Sequence, residues 1–184
     1  AVNFSKNNKL KLFIFYGRVV KYKGIETILK ALPYISNKNI IFIFGKGPLE
    51  NSILKNKDKF KNLFFINSFI NNSEKKYLLK NATSFLFPSI IESETLGLTQ
   101  IEALSQGCPI INTNLKTAVP FVSLDGISGK TIKPNNFLEL AKSINEFPLK
   151  NTLNWKNYSL NAQKRYNQKF SEKVFEKKLF NLIN

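Results

Sequence analysis

Short apolar runs alternate with segments whose apolar residues recur at helical spacing, almost without a break through the first four-fifths of the chain. "KLKLFIFYG" (9–17) is β-branched and aromatic, stops at Gly17, and predicts a first strand. In "GIETILKALPYI" (24–35), Ile25, Ile28, Leu29 and Leu32 share one helical face. "NIIFIFGKGP" (39–48) predicts a second strand ending in glycines, followed by a helix in "LENSILKNKDKF" (49–60). A third pair is "NLFFIN" (62–67) with "SEKKYLLKNA" (73–82), the helix N-capped by Ser73. A fourth is "TSFLFPS" (83–89) with "GLTQIEALSQG" (97–107), closed by Gly107. "CPIINTN" (108–114) and "GKTIKP" (129–134) predict strands five and six, with a helix in "NFLELAKSINEF" (136–147). A long amphipathic helix from about Asn161 to Leu182 is expected to end the chain, with Tyr166 and Phe170 on its apolar face.

Continuous apolar strands alternating with helices predict an α/β fold: a six-stranded, doubly wound parallel sheet covered on both faces. Ligands of such sheets bind outside the carboxyl ends of the strands, so the chemistry should lie just after strands. The 184 residues suit one domain with its own core. No apolar run approaches the roughly 18 residues of a membrane span, and "AVNFSKNNKLK" does not read as a signal peptide. The chain lacks Met and begins at Ala1, which suggests a piece of something longer. Its one cysteine, Cys108, allows no internal disulfide and no cysteine metal cluster, and reads as a buried structural thiol.

A net charge of +16 would ordinarily point to nucleic acid or an anionic surface. Here 26 of the 28 basic residues are Lys, and Asn is also abundant at 24, the joint bias an AT-rich coding sequence produces. The lysines are scattered along polar helix faces and form no stripe, so no nucleic-acid partner is expected. Scattered charge is enough for peripheral contact with an anionic membrane, or for an anionic substrate.

Three post-strand loops carry candidate chemistry. The chain has only two arginines, and Arg18 directly follows Gly17 in "YGRVVKYKG" (16–24). Its planar fork of donors suits phosphate, and Lys23 at the other end of the loop could close on the same diphosphate; a surface salt bridge is the plainer alternative. "GKGP" (45–48) fails as a dinucleotide fingerprint because Glu50 stands where a third glycine is required. It survives as a tight turn allowing a ligand's close approach. In "IESETLGLTQIEALSQG" (91–107), scarce carboxylates gather around Gly97. The helix starting there turns its positive end toward the same place, which suits an anion. Glu94 could reach hydroxyls beside a bound phosphate. Glu102, flanking an apolar stripe of Leu98, Ile101 and Leu104, needs hydrogen-bond donors, and a vicinal diol would supply a pair. On local pattern alone, Glu92 and Glu94 read equally as ordinary acids near a helix start, and Glu102 as solvated.

Together, "GRVVKYKG", "GKGPL", "FPSIIESETLGLTQIEALSQGCPIINTN" and "AVPFVSLDGISGKTIKP" resemble the donor-binding half of retaining GT-B glycosyltransferases of the family-4 type, from about Lys11 to Phe147. The E-x7-E signature is Glu94 through Glu102, and the variant is most similar to enzymes of bacterial lipopolysaccharide or capsule synthesis. The resemblance implies a Rossmann-like half of a GT-B fold spanning 1–184, with the acceptor-binding N-terminal domain absent. A helix at about 155–184 would cross back to that domain.

By the same resemblance, Arg18 and Lys23 bind the diphosphate of a UDP- or GDP-linked sugar and stabilise it as leaving group. Glu94 meets the donor sugar, Glu102 the ribose, and Thr95, Leu96, Gly97 and Leu98 offer backbone groups to sugar and phosphates. Ile70 touches the base. Ser68 replaces the family's usual glycine in that loop, which leaves the base contact less defined. The chain has no His, so the family's acceptor-side histidine belongs to the absent half. It has no D-x-D either, its only Asp being Asp58 and Asp125, in keeping with transfer that needs no metal or other cofactor. The piece alone is expected to bind donor with little transfer. The whole enzyme is expected in the cytoplasm, or peripheral on the cytoplasmic face of the inner membrane, acting on a glycan or lipid-linked acceptor. A sugar-nucleotide epimerase on the same fold is one alternative, though it would need acid–base side chains near the sugar. A basic nucleic-acid module is the other, marked by steep salt dependence.

Overall fold

A computed structural model describes residues 10–183, the side chains of 182 and 183 excepted; Lys9, the expected start of the first strand, lies outside that range. Six parallel strands form one sheet: β1 (Lys11–Tyr16), β2 (Asn39–Phe44), β3 (Leu63–Ile66), β4 (Ser84–Leu86), β5 (Ile110–Thr113) and β6 (Gly129–Ile132). Their spatial order is β3-β2-β1-β4-β5-β6, the doubly wound arrangement. The helices are α1 (Ile25–Ala31), α2 (Glu50–Lys57), α3 (Asn72–Asn81), α4 (Leu98–Ser105), α5 (Val119–Val122), α6 (Phe137–Glu146), α7 (Leu153–Lys169) and α8 (Glu172–Ile183).

Because strand side chains alternate, β1 feeds two cores at once. Phe13 and Phe15 pack on one face with Ile25 and Ile28 of α1, Ile53 of α2, and Leu140 and Ile144 of α6. Ile14 and Tyr16 pack on the other with Leu79 of α3, Ala103 and Leu104 of α4, and Ala162 of α7. Both faces are therefore covered, as the apolar runs predict.

Three expectations need correction. The N-cap of α3 is Asn71, not Ser73: its side chain accepts from Glu74 N, and Glu74 reaches back to Asn71 N in a reciprocal capping box. The long terminal helix is two helices. α7 begins earlier than expected, N-capped by Thr152, and the chain leaves helical geometry at Phe170 before α8 starts. Leu98 is not on the buried stripe of α4; it is 71% exposed, while Leu104 is fully buried.

α7 is fastened to the body of the domain. Trp155 Nε1 donates to Thr83 O (2.8 Å), Ser159 Oγ to Gly107 O (2.7 Å), and Arg165 Nε to Val122 O (3.1 Å). α8 extends beyond, with Phe175 and Phe180 68% and 69% exposed.

Cys108 is buried as expected, and burial pushes its thiol up to about 12. Above its ordinary value of 9.0 the unfolded chain releases a thiol proton that the folded chain keeps. Folding stability should thus be fully present below pH 9 and drain away toward about 12. Urea midpoints measured at about pH 8 and about pH 10.5 should fall further apart in the natural chain than in Cys108→Ala. Equal differences would mean that the folded thiol ionises freely.

Candidate functional site

β1 and β4 are neighbours whose following connections diverge to opposite sides, so a crevice opens outside their carboxyl ends. The two loops leaving those ends are joined. Ile90 N donates to Tyr22 O (2.9 Å), and Gly24, at φ +75°, lies so close to the other loop that a Cβ would sit 1.9 Å from Pro88 O. The "GKGP" glycines have a similar use. Val19 N donates to Lys46 O (2.8 Å), and a Cβ on Gly45 would sit 1.9 Å from Gly17 O. The close approach they allow is therefore to the β1 loop. Glu50, in the third-glycine position, ties the β2 and β3 loops by accepting from Gly47 N (2.8 Å) and Asn67 Nδ2 (2.6 Å).

Along this frame the β1 loop makes a short 3-10 turn, Lys21–Lys23, and its two cations flank Tyr22. Arg18 is exposed, donates to the Tyr22 hydroxyl, and lies 5.5 Å from the ring centroid. Lys23 lies 5.3 Å from the same ring and 5.3 Å from that of Phe87. Its ammonium is paired with Glu94 Oε2, which also accepts from Ser89 Oγ (3.2 Å). Thr113 Oγ1, at the end of β5, holds that serine's carbonyl (2.7 Å). A buried carboxylate is costly unless compensated, and Lys23 and Ser89 together compensate this one.

Beyond Glu94, Thr95 is exposed, Leu96 is half-buried, and Gly97 opens α4 without any side-chain cap. No side chain therefore caps the first amides of α4, and Leu98 beside them is exposed. The loop is held from below by a buried network absent from the sequence expectations. Gln100 Nε2 donates to Leu96 O (3.0 Å), and Asn112 Nδ2 to Gln100 Oε1 (3.1 Å) and Val119 O (3.1 Å); Thr131 Oγ1 closes it on Asn112 Oδ1 (2.7 Å). The available signal was Gln100 falling on the same helical face as Ala103 and Leu104, and Asn112 interrupting an apolar strand.

Glu102 lies one turn deeper on α4, 41% exposed. Its oxygens are shared out: Tyr16 OH donates to Oε2 (2.7 Å) and Lys75 Nζ of α3 to Oε1 (3.3 Å). Burial first, then the hydrogen bond and the negative charge of Glu102, push the Tyr16 phenol well above its ordinary value, so it stays a donor. α3 also lines an apolar cavity of about 460 Å³ at the carboxyl ends of β2 and β3, with Ile70, Phe44, Phe69 and Tyr77. Ser68 is part of the same lining. Arg18 and Lys23 thus follow β1, Glu94 and Gly97 follow β4, Glu102 bonds the last residue of β1, and Ile70 follows β3, all at the sheet's carboxyl edge.

Comparison with known proteins bears on the family and the fold. Residues 2–166 match the family described as "Glycosyl transferases group 1". The chain is 28% identical over 167 residues to O-antigen chain mannosyltransferase C of Escherichia coli, covering 86% of this chain and 42% of that protein. It is 28% identical over 181 residues to the capsular polysaccharide biosynthesis glycosyltransferase CapM of Staphylococcus aureus, covering 92% and 45%. The chain therefore spans less than half the length of these relatives. HepE of Anabaena, solved in complex with UDP-glucose, superposes with a TM-score of 0.81 at 16% identity, covering 95% of this chain and 48% of that one, and shares its fold. With the family match running over most of its length and the sheet matching in topology, the chain belongs to the glycosyl transferases group 1 family and has the Rossmann-like fold of GT-B glycosyltransferases.

Proposed function

We propose that this chain is the C-terminal, donor-binding domain of a retaining glycosyltransferase that transfers a sugar from a UDP- or GDP-linked donor. The acceptor is a glycan or lipid-linked glycan of a bacterial surface polysaccharide, held by an N-terminal half outside this sequence. The observation that carries the reading is the convergence of Lys23, Glu94 and the uncapped start of α4 at the switch-point crevice. Cationic side chains and open helix amides attract a diphosphate, and a carboxylate between them suits sugar hydroxyls. The relatives named for O-antigen and capsule synthesis support the polymer class, and the neighbour solved with UDP-glucose supports the donor class.

In this reading Arg18, Lys23 and the α4 amides hold the diphosphate. When the bond from the sugar's anomeric carbon to the β-phosphate oxygen breaks, the electron pair leaves on that oxygen, and these donors stabilise the charge without a metal or other cofactor. Glu94 faces the sugar as positive charge builds there, Glu102 accepts from the ribose, and Ile70 meets the base in the apolar cavity. α8, with its exposed Phe175 and Phe180, packs against the N-terminal half. Among the described residues no helix is long and apolar enough to cross a membrane. The enzyme works in the cytoplasm, its basic surface suited to the cytoplasmic face of the inner membrane.

The test is calorimetric titration of this chain with UDP and GDP. One of the two should bind, and Arg18→Ala should weaken it by about 1.5–3 kcal/mol, the scale of charge-assisted hydrogen bonds. Arg18→Lys should restore only part, since the planar fork is lost. Unchanged affinity in Arg18→Ala would remove Arg18 from the diphosphate site.

A further inference from the structure

A carboxylate that accepts from two neighbouring hydroxyls at once must present its oxygens in a fixed plane. Glu102 is 41% exposed and stands on a helix surface, where a free glutamate side chain samples several rotamers. Something has to hold it. Lys75 reaches Oε1 from α3 at 3.3 Å, but it is a flexible chain with a point-like charge. Tyr16 is different. It is the last residue of β1, buried in the second core, with its ring 4.9 Å from that of Phe85. Its hydroxyl is thus a fixed point built into the sheet, 2.7 Å from Glu102 Oε2.

We infer that Tyr16 is a positioning residue for nucleotide recognition, its hydroxyl locking the Glu102 carboxylate so that the remaining lone pairs face a vicinal diol. A carboxylate has about four acceptor sites. Tyr16 and Lys75 occupy one on each oxygen, which leaves one on each for a pair of adjacent hydroxyls. The inference rests on the assignment of Glu102 to the ribose and deepens it: discrimination of ribose from deoxyribose is set from the sheet, through a tyrosine that need not touch the nucleotide.

The experiment compares the affinities of UDP and GDP with those of their 2′,3′-dideoxy counterparts. The natural chain should prefer the ribose form by about tenfold or more, the worth of hydrogen bonds to a charged acceptor. Tyr16→Phe fills the same space and keeps the Phe85 contact. It should weaken the ribose nucleotide by about tenfold and leave the dideoxy form unchanged, so that the ratio collapses toward one. A tyrosine that only packs would lower both forms together. Glu102→Asp, on the exposed side of the contact, withdraws the carboxylate from Tyr16 without disturbing the core, and should collapse the ratio in the same way. Adding Tyr16→Phe to Glu102→Gln should cost nothing further, because the two act as a unit. A preserved ratio in Tyr16→Phe, or a gain in ribose affinity in that variant, overturns the positioning role while leaving Glu102 on the ribose; a preserved ratio in Glu102→Asp, which draws the carboxylate back from tyrosine and diol alike, overturns both. If the natural chain does not distinguish ribose from dideoxyribose, or binds neither UDP nor GDP, the assignment of Glu102 fails and takes the inference with it.

Discussion

Glu94→Gln should slow turnover of the complete enzyme by about 2–4 kcal/mol of barrier, on the order of 30- to 1000-fold, while leaving affinity for free UDP or GDP undiminished. On the proposed assignment the two effects separate because Lys23 would serve both the carboxylate and the diphosphate clamp. Lys23 is paired with Glu94, which also takes a hydrogen bond from Ser89. Removing the negative charge frees Lys23 for phosphate, so the free diphosphate binds as well as before or somewhat better. The donor sugar loses the charged acceptor, so the nucleotide-sugar binds more weakly. The transition state loses most, since a nearby carboxylate stabilises positive charge developing at the anomeric carbon more than it stabilises the ground state. Glu102→Gln is the control: it should weaken nucleotide and nucleotide-sugar by similar amounts. Matched titrations with and without the sugar, on both variants, decide the matter. Equal losses for both ligands in both variants would show that sugar and ribose are not divided between the two glutamates.

How much of this was legible in the sequence depends on whether a residue's role is local. β1, β2 and β5 are covered on both faces, so they read as near-continuous apolar runs, and the alternating helices fixed the parallel, doubly wound sheet. The loops carrying Arg18, Lys23, Glu94 and Gly97 do follow β1 and β4, where the strand-end rule put them. The break between α7 and α8 was not legible, because neither Gly nor Pro marks it and helical periodicity continues through Phe170 and Ser171. The cap of α3 was misplaced by two residues within "NNS", where every member is a capable capping residue. Leu98 matches the α4 period but stands at the crevice mouth, where no element covers it. Tyr16 reads as one more apolar strand residue. Its hydroxyl acquires a role only when α4 and α3 bring Glu102 and Lys75 beside it, and no window of sequence contains all three.

Gly97→Ala should destabilise the fold by about 2–5 kcal/mol and abolish most nucleotide affinity in the molecules that remain folded. Two costs add. Gly97 sits at φ +77°, in the left-handed region, where an L side chain costs about 1–2 kcal/mol. A Cβ there would also lie 2.4 Å from Cζ of Phe87, a ring 2% exposed and packed in the second core, with little room to move aside. Overpacking of that kind typically costs about 1–3 kcal/mol. Relief has to come from the loop, and the loop is what aims the α4 amides at the crevice. The two costs can be told apart. Phe87→Leu shortens the obstructing side chain but leaves the backbone conformation as demanding as before. In the Gly97→Ala background it should therefore recover the steric part alone, a coupling of about 1 kcal/mol or more in a double-mutant cycle. Urea unfolding with an unchanged slope measures the stability terms, and UDP titration of the folded fraction measures the rest. A Gly97→Ala chain within about 0.5 kcal/mol of the natural one, the scatter of ordinary surface substitutions, would show that the loop relaxes without penalty. The start of α4 would then not be preset for phosphate, and whatever affinity the site has would rest on Arg18 and Lys23.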